Sequence, residues 1–319
     1  MIRRKKMLGI VIGRDEVRMV EMVLTSKNRF YITKYATLEL GTSVLNEGVV
    51  VDEETFANEF VRMYKENGFS ARTASFGIDN QTTILRFATF PKVEQSKQRN
   101  LILLNSQEHI PTPLSELELD YVPLREVEEE EGTFVNILLC AVNKKTIQQI
   151  VDVSKLVPLS LTAISPIQIS FANAMLSKVT ENSFLAVRMG RKSVHHIVFE
   201  DNHIEFIRHV NLNTETITTI SALIRGEKVP FSDIDSIKKQ FVNSINASIN
   251  YYNLKSKKDI NHIYLSGVSS VYRQISEGLE EELQSDVNLV RLFEPDGKLG
   301  ASPPEEYDGC ISLVLDSVR

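Results

Sequence analysis

The chain has 319 residues, of which 42% are hydrophobic and 24% are charged, and its formal net charge is −6. This length allows two domains, the composition is that of an ordinary globular protein, and there is no basic excess to favour nucleic acid. No apolar run reaches the roughly 20 residues of a membrane-spanning helix. Cys140 and Cys310 lie in apolar strings without metal-binding spacing. We therefore expect reduced thiols in a cytoplasmic protein.

The chain opens with a basic run at residues 3–6 and then with an alternating apolar segment, Leu8-Gly9-Ile10-Val11-Ile12-Gly13. A period of two predicts a β-strand, and Gly13 predicts a tight turn into a second strand, since glycine tolerates a positive φ. The same pattern recurs from Leu185 to Gly190, and each copy continues through a polar turn, at 26–28 or 201–202, into a third strand. The repeat predicts two related halves that face each other across a cleft.

Between the two repeats, apolar spacing predicts a helix from Asp52 to Asn67 and then a separate β-α-β-β-α module. The predicted elements of the module are a strand at 83–90, a helix at 94–109, strands at 117–124 and 134–142, and a helix at 144–156. A strand at 162–165 and a helix opened by Pro166 return the chain to the first half.

The second repeat is followed by a mixed α/β segment. Its predicted elements are helices at 214–223 and 233–254, a strand at 263–267, a helix at 272–283, a strand at 288–292, a proline- and glycine-rich loop at 295–304 and a terminal apolar helix at 307–318.

These motifs resemble those of the actin-like ATPase superfamily and, within its FtsA-like branch, those of the PilM-type type IV pilus assembly proteins. The opening strand is similar to the family's LGIDIG, and Ile263-Tyr264-Leu265-Ser266-Gly267 is similar to its adenosine-side IYLSGG. The most specific match is the run from Ser106 to Pro111, with Pro113-Leu114 and Leu119-Asp120-Tyr121, which resembles E-x-x-I-P-F-P-L…L-D-Y. The resemblance covers nearly the whole chain.

The resemblance implies an α/β, actin-like (duplicated RNase H-like) two-domain fold with an FtsA/PilM-type inserted subdomain. It places the first actin-like domain (1A) at residues 7–80, the inserted subdomain (1C) at 81–160, a return to 1A at 161–180 and the second domain (2A) at 181–319. A reduced 2B subdomain is expected around 214–258, and the C-terminal helix, 305–319, is expected to pack back on 1A.

The sequence departs from the family where the metal would bind. Each phosphate loop of the family carries an aspartate before the glycine turn, and these carboxylates hold Mg²⁺. Val11 and Arg188 stand at those positions, on the side of each strand that faces the cleft. The glycine pairs expected at 267–268 and at 211–213 are also interrupted. We therefore expect a pseudo-ATPase with no catalytic residue and no metal site.

Nucleotide binding without a formed magnesium site stays open beside an empty cleft. The backbone N–H groups of the two glycine turns would hold the phosphates, and nearby cations would add charge. The residues that would bind ATP or ADP are Gly13, Arg14, Asp15, Arg18, Gly190, Arg191, Lys192, Ser193, Ser266 and Gly267. Without an anion, the simpler arrangement is that Asp15 and Glu16 pair with the cations. His195 and His196 are adjacent on a strand, so they point to opposite faces and cannot share an ion.

For function, the resemblance implies a cytoplasmic scaffold of a type IV pilus or related secretion machine, held at the inner face of the inner membrane by a partner. The implied partner is the cytoplasmic tail of a PilN-like bitopic protein; pilus motor ATPases, the platform protein and self-association are further candidates. The tail would lie in a groove near Leu85, Phe87, Glu108, Ile110 and Pro111. Two alternatives stay open: an actin-like ATPase whose nucleotide state controls pilus assembly, and a cytoplasmic component of a type II secretion assembly.

Overall fold

A computed structural model describes residues 5–25, 30–80, 82–293 and 305–318. Arg3, Arg4, the predicted turn at 26–28 and the predicted loop at 295–304 lie outside this part. The chain divides into two compact units. Unit 1 comprises Met1–Gly9, Met19–Tyr35 and Ile167–Arg319, and unit 2 comprises Ile10–Arg18 and Ala36–Pro166.

Strands and helices follow one another along the described residues. The strands are β1 Lys5–Ile12, β2 Glu16–Leu24, β3 Phe30–Glu39, β4 Leu45–Asn46, β5 Val49–Val50, β6 Thr73–Ile78, β7 Ile84–Pro91, β8 Leu117–Glu129, β9 Gly132–Asn143, β10 Ser160–Pro166, β11 Ser183–Met189, β12 Ser193–Glu200, β13 His203–Asn211, β14 His262–Gly267 and β15 Asp286–Leu289. The α-helices are α1 Glu53–Glu66, α2 Gln95–Asn105, α3 Lys144–Lys155, α4 Ile167–Leu176, α5 Thr214–Ile224, α6 Phe231–Ser256, α7 Ser269–Ile275, α8 Leu279–Leu283 and α9 Asp308–Asp316.

Two five-stranded sheets repeat one topology. Their strand orders are β10-β6-β1-β2-β3 and β13-β12-β11-β14-β15. In the second sheet β11 pairs antiparallel with β12 and parallel with β14, and in the first β6 pairs parallel with β10. Nearly every residue of β11 and β12 is buried, as expected for central strands with both faces covered.

Unit 2 carries a smaller sheet of its own, in the order β7-β9-β8, with both neighbours antiparallel to β9. One face of this sheet packs around Ile102 of α2, and Ala88, Phe90, Ile137 and Leu139 belong to the same apolar cluster. The predicted β-α-β-β-α order of elements is confirmed. The boundaries of this module at 81 and 160 stay a prediction.

Unit 1 has its core between the second sheet and helices α5 to α8. The C-terminal helix α9 packs against α4, and the Asp316 carboxylate accepts hydrogen bonds from Ser170 at 3.1 Å and Asn173 at 2.9 Å. A Cβ atom on Gly9 would lie 2.0 Å from the carbonyl oxygen of Cys310. Glycine is therefore required where α9 crosses β1.

Several predicted boundaries are wrong. The helix expected at 272–283 is two helices, α7 and α8, because Gly278 adopts a φ of +68° between them. The helix expected at 94–109 ends at Asn105 and tightens into a 3₁₀ turn, where Ser106 Oγ donates to the carbonyl of Ile102 at 2.6 Å. The strand expected at 288–292 lies at Asp286–Leu289. The helix expected after Pro166, at 167–176, is confirmed as α4, and Pro166 itself is the last residue of β10.

No helix among residues 5–25, 30–80, 82–293 and 305–318 combines the length and the apolar character that crossing a membrane requires.

Candidate functional site

The first glycine turn, residues 13–16, joins β1 to β2. The N–H of Gly13 donates to the carbonyl of Glu16 at 2.9 Å, so the hairpin itself uses this donor. Gly13 does not adopt a positive φ, and a Cβ atom there would meet nothing closer than 3.5 Å. The turn therefore has the predicted place, but its conformation does not depend on glycine, and the Gly13 N–H is not open to a phosphate.

Charged residues of the first glycine turn are paired within unit 2. Arg18 forms an ion pair with Glu16, and both side chains are buried, which confirms the expected pairing of Glu16. Arg14 instead pairs with Glu47, a partner that the sequence did not indicate. The carbonyl of Asp15 accepts the N–H of Leu40 at 2.7 Å. These contacts fix the turn without a bound anion.

A short loop also supports this turn. The N–H of Gly48 donates to the carbonyl of Arg14 at 2.8 Å, and Asn80 Nδ2 donates to the carbonyl of Gly48 at 3.1 Å. Gly48 has a φ of +78°, and a Cβ atom there would lie 2.4 Å from that of Asn80. Gly48 and the buried Asn80 are thus structural residues that were not singled out from the sequence.

The second glycine turn, residues 190–193, joins β11 to β12 and closes in the same way. The N–H of Gly190 donates to the carbonyl of Ser193 at 2.8 Å, and the carbonyl of Lys192 accepts the N–H of Leu212 at 3.0 Å. Gly190 and Ser193 are buried, and Arg191 is partly buried. The N–H of Gly190 is again committed within the hairpin.

Val11 and Arg188 stand where the family resemblance implies aspartates, and neither offers a metal ligand. Val11 is 5% exposed and apolar. Arg188 is 1% exposed, and its Nε donates to Asp308 Oδ1 at 2.9 Å. Asp308 Oδ2 accepts a second hydrogen bond from Ser266 Oγ at 3.0 Å. We call Arg188, Ser266 and Asp308 the Arg188 cluster.

Helix α9 begins inside this cluster. Asp308 is its first residue, and its carboxylate lies at the helix N-terminus, where the backbone dipole favours a negative charge. A Cβ atom on Gly309 would lie 2.7 Å from Arg188 Nη2. The guanidinium thus lies directly over the first turn of α9, and the Asp308-Gly309 pair at the start of an apolar helix was the signal available in the sequence.

The end of β14 completes the arrangement. Gly267 adopts a φ of +102°, and a Cβ atom there would lie 2.0 Å from the carbonyl oxygen of Met189. The hydroxyl of Tyr272 donates to the carbonyl of Ser266 at 3.0 Å, and burial raises the pKa of Tyr272 well above its usual value. β14 and β11 pair directly, with Ser266 opposite Arg188.

The structure thus brings each half of the predicted nucleotide site together within its own unit. Gly13, Arg14 and Asp15 lie in one turn and Arg18 lies on β2 directly after it, whereas the remaining predicted residues lie at the neighbouring ends of β11, β12 and β14. That the two turns face each other, and that they bind a nucleotide, stay predictions.

The histidines on β12 do point to opposite faces, as expected. His195 contacts His209 at 2.8 Å, whereas Nδ1 of His196 lies 2.7 Å from Ser248 Oγ on α6. Burial, with the charges of Arg208 and His195, lowers the pKa of His196 to about 3. This ring is a neutral, hydrogen-bonded core residue.

The predicted groove residues do not form one surface. Leu85 and Phe87 lie on one face of β7, whereas Ile110 is buried in the cluster on the opposite face, with Phe90 and Ile102. Glu108 and Pro111 are exposed on either side of Ile110. Ile110 is therefore a core residue and is closed to a peptide, while Leu85 and Phe87 stay candidates.

The outer edge of β7 is the accessible part of this region. The N–H of Lys92 donates to the carbonyl of Thr133 on β9 at 2.9 Å. Antiparallel pairing alternates, and the register is continuous along β7. The main-chain groups of Leu85, Phe87 and Thr89 therefore point away from β9, toward the edge. The nitrogen of Pro91 also points away from β9. Proline is tolerated there because it has no N–H to donate and an edge strand needs none on its outer side.

Two sheets that each contain a strand–glycine turn–strand, covered by helices, define an α/β protein with the actin-like fold. The family model described as Type IV pilus assembly protein PilM matches residues 9–222. The chain belongs to this family.

Solved structures agree with this fold. A chain of the PilM–PilN type IV pilus biogenesis complex matches with a TM-score of 0.79 and 19% identity over 98% of both chains. The ethanolamine utilization protein EutJ from Carboxydothermus hydrogenoformans has a TM-score of 0.52 and 12% identity, over 97% of this chain and 89% of that one. The cytoplasmic domain of EpsL, an inner membrane component of the type II secretion system of Vibrio cholerae, has a TM-score of 0.50 and 8% identity, over 98% and 94%. No curated protein matches the sequence.

Proposed function

We propose that this chain is a scaffold of type IV pilus machinery that binds the extended cytoplasmic tail of a PilN-like bitopic inner-membrane protein and hydrolyses no ATP. Membership of the PilM family and the likeness to a chain of the PilM–PilN complex support this proposal. The observation that carries it is the outer edge of β7. On this proposal the protein works in the cytoplasm and reaches the membrane through its partner.

The β7 edge has the chemistry that an extended peptide recognises. Leu85, Phe87 and Thr89 present alternate N–H and C=O groups outward, which are the groups that an added strand would pair with. The side chains of Leu85 and Phe87 lie on one face, and Phe87 is 36% exposed. Arg86 Nη1 donates to the carbonyl of Leu85 at 2.9 Å. An N–H of the bound peptide would replace this donor at the Leu85 carbonyl. A tail with apolar residues at alternate positions suits this edge.

Calorimetric titration with a synthetic cytoplasmic tail of the bitopic partner tests the binding. Thr89→Pro removes one outward N–H and leaves the pairing with β9 intact, whereas Thr89→Ala is the matched control with that N–H retained. We expect Thr89→Pro to weaken binding at least tenfold, which is about 1.4 kcal/mol, and Thr89→Ala to change it far less.

Two results would contradict different parts of this proposal. If the wild-type protein does not bind the tail, the scaffold function is wrong. If Thr89→Pro binds as tightly as Thr89→Ala, the tail binds but not at the β7 edge. Circular dichroism of both variants checks that the sheet is preserved.

The residues at the two positions that would hold the metal support the absence of hydrolysis. Val11 offers no oxygen, and the Arg188 guanidinium is a buried cation neutralised by Asp308. Positioning the metal and the attacking water is most of phosphoryl-transfer catalysis. We expect phosphate release with ATP and Mg²⁺ to stay at the background rate. Release that Arg14→Gln or Lys192→Gln abolishes would instead support an ATPase.

Nucleotide binding without turnover is measured separately. Both glycine N–H groups are donated within their hairpins, which supports a cleft without ATP or ADP. We expect no shift in melting temperature when millimolar ATP or ADP is added in EDTA. A clear shift would show that nucleotide binds without magnesium.

A further inference from the structure

Unit 1 contains a pocket of about 360 Å³ between the second sheet and helices α5 and α6. Its floor is apolar and belongs to the core; Met189, Val194, Ile220 and Phe241 are the main contributors. Polar side chains surround the opening, with Arg208, Thr216 and Gln240 among them. The volume lies in the range of small-molecule sites.

Arg208 is the charged residue in this lining, and it faces no carboxylate there. Its hydrogen bonds are long: Nη1 lies 3.5 Å from the carbonyl of Ser244 and 3.4 Å from Ser248 Oγ. Within the described parts of the chain no acidic side chain comes within ion-pair distance of its guanidinium. Arg188 and Lys258, by contrast, each have a carboxylate partner.

The environment of Arg208 favours an anion. It is a partly buried cation, and a charge away from bulk water interacts strongly with an opposite charge. Its field also reaches His196, where it helps to lower the pKa of that ring. The histidine stays neutral, so it adds no second positive charge beside Arg208, and it supplies no negative charge either. A ligand carboxylate would supply one, with the planar guanidinium as a two-pronged donor.

The other polar groups at the opening are already arranged. Thr216 Oγ1 lies 3.1 Å from Gln240 Oε1, and Gln240 Nε2 lies 3.3 Å from Ser236 Oγ. The first contact joins α5 to α6 beside the pocket, and the second holds the Gln240 side chain against α6. Little side-chain ordering is left for a ligand to impose, which favours affinity.

We propose that this pocket binds a small amphipathic carboxylate, with the carboxylate on Arg208 and an apolar body on the floor. Of the predicted nucleotide residues, Gly190, Ser266 and Gly267 do not line the pocket, whereas Asn211 and Leu212, where the family resemblance implies a glycine pair, do. The inference is independent of the tail-binding function proposed above.

Octanoate and 1-octanol are the probes, because they share an apolar chain and differ in charge. Calorimetric titration of the whole protein should give octanoate binding at least tenfold tighter than octanol binding. Arg208→Gln should reduce octanoate to the level of octanol, whereas Arg273→Gln, at an exposed arginine on α7 outside the pocket, should leave both unchanged.

A second pair of variants tests the location without touching a charge. Ala247 is exposed and lines the opening, whereas Asn250, also exposed on α6, does not line it. Ala247→Trp should weaken octanoate at least tenfold, and Asn250→Trp should not. The proposal is overturned if octanoate does not bind at millimolar concentration, if octanol binds equally well, or if Arg208→Gln or Ala247→Trp has no effect.

Discussion

The two glycine turns share a sequence pattern, and each has a buried ion pair: Arg18 with Glu16 inside the first hairpin, and Arg188 with Asp308 on α9 at the second. Their longer-range partners differ. In the first, Arg14 pairs with Glu47, and these side chains are 24% and 44% exposed. In the second, Arg188 and Asp308 are 1% and 5% exposed, and Ser266 completes the buried cluster. A surface ion pair contributes little, whereas a buried pair is expensive to break. The second turn therefore depends on the C-terminal helix in a way that the first does not.

The same difference is seen at the two positions where the family resemblance implies aspartates. Val11 is an apolar side chain that is simply buried. An arginine at position 188 introduces a charge that must be neutralised, and Asp308 does so from a helix far along the chain. The Arg188 cluster is thus closed by the protein's own residues.

Removal of the Asp308 carboxylate is expected to cause the largest loss of stability among the changes that compare the two turns. Asp308→Ala removes a buried carboxylate that pairs with Arg188, and we expect the free energy of unfolding to fall by about 3–5 kcal/mol. Glu47→Ala, which removes the partner of Arg14, should cost less than about 1 kcal/mol. Urea denaturation of the three proteins measures both values.

The double variant Arg188→Met with Asp308→Leu separates the charge from the packing. Because apolar residues can replace a buried ion pair, it should recover most of the loss. Equal effects of Asp308→Ala and Glu47→Ala would show that the two turns are held alike.

The glycines give the second contrast. Gly267→Ala places a Cβ atom 2.0 Å from the Met189 carbonyl at a φ of +102°, and we expect a loss of roughly 2–4 kcal/mol. Gly13→Ala meets nothing closer than 3.5 Å and should cost less than about 1 kcal/mol. Thermal melts compare them; a larger loss at Gly13 would mean that the first turn is under strain after all.

Local patterns in the sequence predicted the strands, the order of elements and both turns, because period-two alternation reports burial directly. They did not identify which glycines are essential: Gly13 opens the motif, but the close contacts are at Gly9, Gly48 and Gly267. Backbone approach between distant strands and helices leaves no mark on local spacing. Ile110 shows the same limit, since a residue within a recognised motif proved to be core.

The ion-pair partners of the charged residues were harder to predict from the sequence than the essential glycines. Asp308 lies 120 positions from Arg188, and Glu47 lies 33 positions from Arg14. Local spacing did identify Glu16 as a partner, because it is two residues from Arg18 and side chains two apart on a strand lie on the same face. The long-range pairs depend on how helices and loops pack, and only the fold supplies that.

Unit 1 should also respond to acid through a neutral histidine. Burial holds the pKa of His196 at about 3, against about 6.5 in the unfolded chain. The unfolded state therefore gains a proton first as the pH falls, and stability is lost below pH 6.5. Between pH 6.5 and 5 this amounts to about 2 kcal/mol. His196→Gln should lose that much less over the interval, measured by urea denaturation, and an identical pH dependence would exclude a buried neutral ring.

The smallest expected effect is the salt dependence of the stability loss, which should differ between the two turns. Arg14→Gln should lower the free energy of unfolding by less than about 1 kcal/mol, because the Arg14–Glu47 pair is partly exposed. At 1 M salt the Debye length falls to about 3 Å, so this loss should vanish. The loss in Asp308→Ala should persist, since its side chain and that of Arg188 are shielded from solvent ions. If salt reduces both losses equally, the Arg188 cluster is open to water, and the buried-pair account of the second turn is wrong.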